Sequence, residues 1–124
     1  MKFPGTTQTS STQTKEEITH VMELLPNELR EKLPPLYSQE NVPDPLVHLK
    51  LFTADANWTW YVTEGSPEGD DFIFFGYVIG LEKEWGYFAL SELAAARGPL
   101  GLPIERDLYF KPAPFSQVMA KEHH

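Results

Sequence analysis

Between Asn57 and Leu90 the chain reads NWTWYVTEGSPEGDDFIFFGYVIGLEKEWGYFAL, and ten of its sixteen aromatic residues fall there. They come in three short runs separated by turns that carry glycine and acid. Successive side chains of a strand point to opposite faces, so rings at this density cannot share one layer. The block is expected to form adjacent aromatic-rich strands of an antiparallel sheet, because connections this short join antiparallel neighbours.

The flanking segments fit around that sheet. Lys15 to Leu25 places Ile18, Val21, Met22 and Leu25 on one helical face, with Thr14 and Glu17 in a capping-box pattern. Pro26 to Leu33 predicts a second short helix, with proline in its first turn and Pro34-Pro35 ending it. Leu36 and Tyr37 are expected to pin the following loop to the core. Strands are expected at Leu46 to Thr53, Trp58 to Glu64, Asp71 to Ile79 and Trp85 to Leu90, with a looser acidic turn from Gly65 to Asp70. Ser91 is placed to cap a helix over Glu92 to Arg97, with Gly98 at its stop. Glu105 to Phe110 would add an edge strand, and the closing prolines and polar tail would be peripheral. The fold class that follows is α+β. An antiparallel meander of about four strands would carry short N-terminal helices and one helix from the C-terminal half, all on one side.

Residues 1–14, MKFPGTTQTSSTQT, hold only Met1 and Phe3 as large apolar groups and read as a flexible arm. Residues 15–118 form the expected single domain. Residues 119–124 form a polar tail ending in His123-His124, which resembles a purification-tag remnant. The chain contains no cysteine, so disulfides and thiolate chemistry are excluded, in keeping with a cytoplasmic protein. No apolar run is long enough to span a membrane. No cofactor signature and no metal-ligand spacing is present.

The formal net charge is −8. Residues 41–80 set Lys50 alone against Asp44, Asp55, Glu64, Glu68, Asp70 and Asp71. Direct nucleic-acid binding is disfavoured, since phosphate neutralisation needs a basic stripe. A protein partner, itself basic, suits this balance better, with the chain a monomer or homodimer.

Three groups of residues are candidates for recognition or chemistry. Glu64, Asp70 and Asp71 lie around one hairpin, where Glu64 and Asp71 could face each other and divide acid and base roles. Arg97 and Arg106 flank rigid Gly/Pro turns, as structural ion-pair partners or as an anion-recognising pair. The face opposite Trp58, Trp60 and Val62 would carry some of Tyr61, Tyr77 and Tyr87, which offer rigid contact area with a polar tip. The reading favoured by these groups is a non-catalytic protein-binding accessory domain contacting its partner through Tyr61, Tyr77, Tyr87, Asp70, Asp71, Arg97 and Arg106. The alternatives are a small hydrolase built on Glu64, Asp71 and an arginine, and an acidic mimic of nucleic acid.

Four segments resemble a family of small bacterial, plasmid and phage proteins known as domain of unknown function 2958. They are LLPNELREKLPPLY at Leu24 to Tyr37, NWTWYVTE at Asn57 to Glu64, FFGYVIGLEKEWGYFALSEL at Phe74 to Leu93, and RGPLGLPIERDLYFKP at Arg97 to Pro112. The resemblance covers nearly the whole expected domain and leaves out the first 23 residues. It implies an accessory role on mobile elements, with anti-defence among the options, and supplies no catalytic residues.

Overall fold

Asp71–Ile79 (β4) alternates buried and half-buried positions along its length, as a strand covered on both faces must. In the computed structural model, which describes residues 23–122, this strand lies between Thr59–Glu68 (β3) and Lys83–Ala89 (β5). Beyond β3 come Leu49–Thr53 (β2) and Ile104–Arg106 (β6), giving a five-stranded sheet in the order β5-β4-β3-β2-β6. Every pairing in it is antiparallel. The fold class is α+β, and the expected meander is present with β6 added at its edge. The strand expected at Leu46 to Thr53 is broken at His48. Its first part, Leu46–Val47 (β1), leaves the large sheet to pair with Ala113–Pro114 (β7).

The predicted turn from Gly65 to Asp70 is shorter than expected. β3 runs on to Glu68, and only Gly69 and Asp70 make the turn, with Gly69 at φ 58°. Glycine adopts that left-handed conformation without strain, which suits a two-residue hairpin.

One face of the sheet carries Leu51, Trp60, Val62, Phe74, Val78 and Phe88 into a single core, closed by Leu24, Leu25, Leu33 and Leu93. Asn27–Lys32 (α1) lies over this face, and its Arg30 guanidinium sits 4.8 Å from the centroid of the Phe72 ring. The predicted N-terminal helix falls largely outside the described residues. Its last two residues, Leu24 and Leu25, form a bend and are buried.

Leu90–Ala95 (α2) follows β5 directly. Ser91 lies inside its first turn and is not the cap expected from the sequence. The Glu92 carboxylate accepts the Ala89 N–H at 2.8 Å, and Asp71, delivered from β4, accepts the Ser91 N–H at 3.1 Å. An acid from a neighbouring strand therefore satisfies the open helix end. Gly98 does not end the helix, which closes at Ala96. Instead its Cα lies against the Asp55 carboxylate, where no side chain would fit.

The largest departure from expectation is the chain after Pro112. Phe115–Glu122 (α3) is an eight-residue helix laid across the second face of the sheet, so helices cover both faces and not one. Residues 119–122, expected as tail, are its last turn. Val118 joins Val47, Tyr61 and Ile79 in a second core, with Phe115 and Met119 packed against it. Asp44 accepts the Ser116 hydroxyl at 2.6 Å and the Ser116 N–H at 2.9 Å at the start of α3, and these contacts, the hydroxyl first, hold the Asp44 carboxyl below its ordinary pKa. At the far end Glu122 receives Lys50 at 2.8 Å.

Two stability predictions follow from this packing. A Cβ at Gly76, in the middle of β4, would overlap the Tyr61 carbonyl oxygen on β3. Gly76→Ala should therefore cost about 1–3 kcal/mol or more in denaturant unfolding, as overpacking does. A neutral change there would show that the β3–β4 spacing is wrong. His48 is half-buried between β1 and β2, and burial lowers its pKa below 6.5. The unfolded chain then binds the extra proton first, so stability is complete above that value and is lost as pH falls through the folded value. The thermal midpoint should drop as pH is lowered from about 7 through the His48 titration, and His48→Gln should flatten that drop. An identical pH profile in the variant would contradict the assignment.

Candidate functional site

Strand alternation would send Trp60, Val62 and Glu64 to the same face and bury the Glu64 carboxylate among aromatic rings. The structure avoids this with a bulge. The register of β3 against β4 runs Val62 to Gly76 and then Glu64 to Phe75, leaving Thr63 as the extra residue. Past that point the alternation is reversed, and Glu64 faces the second side of the sheet. Thr63 is itself buried, and its hydroxyl donates to the Phe75 carbonyl at 3.2 Å.

β2 pairs with β3 only as far as Val62, so the next residues of β3 have no strand beside them on that edge. The segment from Pro34 to Gln39 takes the vacant place. Gly65 N–H donates to the Pro34 carbonyl at 2.9 Å, and Leu36 N–H donates to the Ser66 hydroxyl at 2.9 Å. The Glu64 carboxylate accepts the Tyr37 N–H at 2.8 Å on one oxygen and the Gln39 N–H at 2.7 Å on the other. The Gln39 amide donates to the Thr63 carbonyl at 2.7 Å and accepts the Leu46 N–H at 3.0 Å. Glu64 is 3% exposed, and a carboxylate so buried is stable only with such partners. Tyr37 takes φ 74°, a strained conformation for a non-glycine residue, and the two hydrogen bonds to Glu64 hold it there.

The loop held in this way forms one wall of a groove of about 320 Å³, and the aromatic residues of β4 and β5 form the other. Phe75 stacks on Trp85 with centroids 5.7 Å apart, and Tyr87 lies 4.8 Å from Phe75. Tyr37 reaches across from the loop to within 6.1 Å of Tyr87. The row continues through Trp85 to Phe115, 4.8 Å away at the start of α3. Tyr37, Tyr87 and Trp85 are 60%, 48% and 39% exposed, so the rings form an accessible surface as well as a packed cluster. Glu64 at the base and Glu40 on the loop bring negative charge to it. The Tyr87 phenol is pushed above its ordinary pKa by partial desolvation, then by Tyr37 and the carboxylates of Glu64 and Glu40.

The second face, expected to carry some of Tyr61, Tyr77 and Tyr87, carries all three, with graded cover. Tyr61 is fully buried beneath α3, Tyr77 is half-buried with Phe115 edge-on at 5.0 Å, and Tyr87 is open. Tyr61 is thus a core residue and not a contact surface. Its phenol is raised well above its ordinary pKa, by burial first and then by the Glu122 and Asp107 carboxylates.

The expected carboxylate pair is absent. Glu64 lies opposite Phe75, whereas Asp71 lies opposite Glu68, about 13 Å further along the strand. Asp71 is occupied at the start of α2, where the Ser91 hydroxyl holds its carboxyl below the ordinary range. Asp70 is exposed at the hairpin tip. Arg97 donates to the Ala94 and Ala96 carbonyls at 3.0 and 2.7 Å, closing the end of α2. Arg106 lies on β6 opposite Leu51 and donates to the Glu23 carbonyl at 3.3 Å. The two arginines therefore have separate local duties.

Sequence reasoning expected Tyr37 to pin the loop to the core, whereas its ring is exposed in the groove, and it missed Gln39 and Glu40, which belong to a loop without regular pattern. It could have found Trp85, since alternation along β5 puts Trp85 and Tyr87 on the same side. A wider depression of about 630 Å³ lies at the β2–β6 end, but its Lys50 is neutralised by Glu122 and Asp107. Among the described residues no three acidic or histidine side chains converge as metal ligands, and no helix is long and apolar enough to cross a membrane.

The chain matches none of the curated proteins and none of the solved structures. A family model described as "Protein of unknown function (DUF2958)" matches residues 23–123, which takes in every strand and helix described above. The chain belongs to that family of proteins of unknown function.

Proposed function

We propose that this protein is a non-catalytic binding domain whose aromatic groove receives a basic segment of a partner protein. The observation that carries this reading is the row of exposed Tyr37, Tyr87 and Trp85 joined through half-buried Phe75, beside the carboxylates of Glu64 and Glu40. Tyrosine and tryptophan give large contact areas for little loss of side-chain freedom, which makes them frequent anchors of interfaces. Their faces also attract lysine and arginine, by about 0.5–2 kcal/mol for each well-placed cation. The net charge of −8 favours the approach of a basic partner.

The two alternatives have less support. A hydrolase built on Glu64 and Asp71 would need them opposed, and the register separates them. A nucleic-acid mimic would need its acids displayed to solvent. Asp55, Glu64 and Asp71 are instead drawn in from solvent and accept hydrogen bonds from the main chain.

Arginine- and lysine-rich peptides should bind the wild-type protein, with affinity falling as salt is raised. Tyr87→Ser or Trp85→Ala should weaken binding by about tenfold or more in titration calorimetry, as loss of an aromatic anchor does. Glu40→Lys, a change at an exposed loop position, should weaken it and flatten its salt dependence. Equal affinity in the wild type and the Tyr87 variant would refute the groove as the site.

A further inference from the structure

β5 is the free edge of the large sheet, and the backbone groups it leaves open can be identified residue by residue. The Ala89 N–H donates to the Glu92 carboxylate and so points away from β4, although Ala89 lies opposite Ile73. In an antiparallel ladder this outward orientation recurs at every second residue. It therefore also applies to Tyr87, Trp85 and Lys83, which lie opposite Phe75, Tyr77 and Ile79. At the other end of the hairpin the Gly80 N–H donates to the Glu82 carbonyl, which fixes the same alternation independently. Among the described residues, no main-chain hydrogen bond from outside the β4–β5 ladder reaches Lys83, Trp85 or Tyr87. An edge of this kind is a template for another strand unless it is blunted. β5 contains no proline and no bulge, and its only lysine is at its first residue.

The same parity that turns these backbone groups outward sets the side chains of Trp85 and Tyr87 on the groove face. We infer that β5 binds an extended, basic segment of a partner protein as a sixth strand of the sheet, hydrogen-bonded to Lys83, Trp85 and Tyr87. This rests on the groove reading above and specifies how the partner lies. Strand addition would carry alternate side chains of the segment over the Trp85 and Tyr87 rings, towards Glu40 and Glu64. Lysine or arginine at those positions meets aromatic faces and negative charge together. The intervening side chains would pass over Gly86, which offers no side chain, and beside Glu84. Charge selects this occupant over a second copy of the chain, because β5-to-β5 pairing would bring two molecules of charge −8 together.

The probe is a synthetic octapeptide alternating valine with arginine, in its parent form and with single backbone N-methyl groups moved along it. Methylation of amides that face β5 should weaken binding by about tenfold, and methylation of the intervening amides should leave it nearly unchanged. Bound peptide should also slow hydrogen exchange at the Trp85 and Tyr87 amides. Binding that is lost in the Tyr87→Ser variant yet indifferent to methylation, with those amides still unprotected, would overturn strand addition and leave the groove reading standing. Absence of any binding by the parent peptide would overturn both. Protection of the Trp85 and Tyr87 amides in the free protein, together with a dimer in sedimentation, would overturn the basic partner in favour of a second copy.

Discussion

Both oxygens of the Glu64 carboxylate accept main-chain hydrogen bonds, from Tyr37 at 2.8 Å and from Gln39 at 2.7 Å. Hydrogen bonds to a charged group contribute about 1.5–3 kcal/mol each, so this residue outweighs any other single contact of the loop. It can do so only because β3 gains one residue at Thr63. Without the bulge the carboxylate would point into the core of Trp60, Val62 and Phe74, unpaired. With it, the same side chain serves as an anchor for a segment that has no strand of its own. The groove, its acidic base and the position of Tyr37 all depend on that reversal of alternation.

The second face of the sheet is built by a different means. α3 is short, but Phe115, Val118 and Met119 recur at helical spacing and close over Tyr61 and Ile79. Its two ends are tied electrostatically, to Asp44 at the start and to Lys50 at the finish. The helix covers the β2–β3 part of the face and stops at Trp85. An aromatic row that begins in the core therefore emerges into solvent at β4 and β5. Burial of one end holds the exposed rings rigid, which is what an interface anchor requires.

Much of the sheet could be read from the sequence. Period-two alternation placed the first two strands and a uniformly apolar run the third, whose limits Asp71 and Ile79 were met at both ends. That some of Tyr61, Tyr77 and Tyr87 face away from Trp60 was likewise legible from alternation, but that all three share a face follows from the register Tyr61 to Tyr77 and Phe75 to Tyr87. What covers that face was not legible. Ala113 to Glu122 offers only a short apolar stripe after two prolines, and its helicity depends on contacts with Tyr61 and Asp44 that lie far away in the chain. The bulge was equally hidden, since Thr63 carries no glycine or proline to mark it, and with it the role of Glu64. Ser91 misled for a related reason: the acid that satisfies α2 comes from β4, twenty residues earlier.

The sheet is thus closed on one face and covered by α3 over part of the other, leaving an aromatic strand edge open there beside a loop clamped by one buried carboxylate. The clamp is the part on which the groove stands or falls, and amide hydrogen exchange reads it directly. The Tyr37 and Gln39 amides, although they lie in a loop, should be protected in the wild type, and both should lose protection in Glu64→Gln while Phe74 and Val78 keep theirs. Rapid exchange of Tyr37 and Gln39 in the wild-type protein would contradict the account at its base.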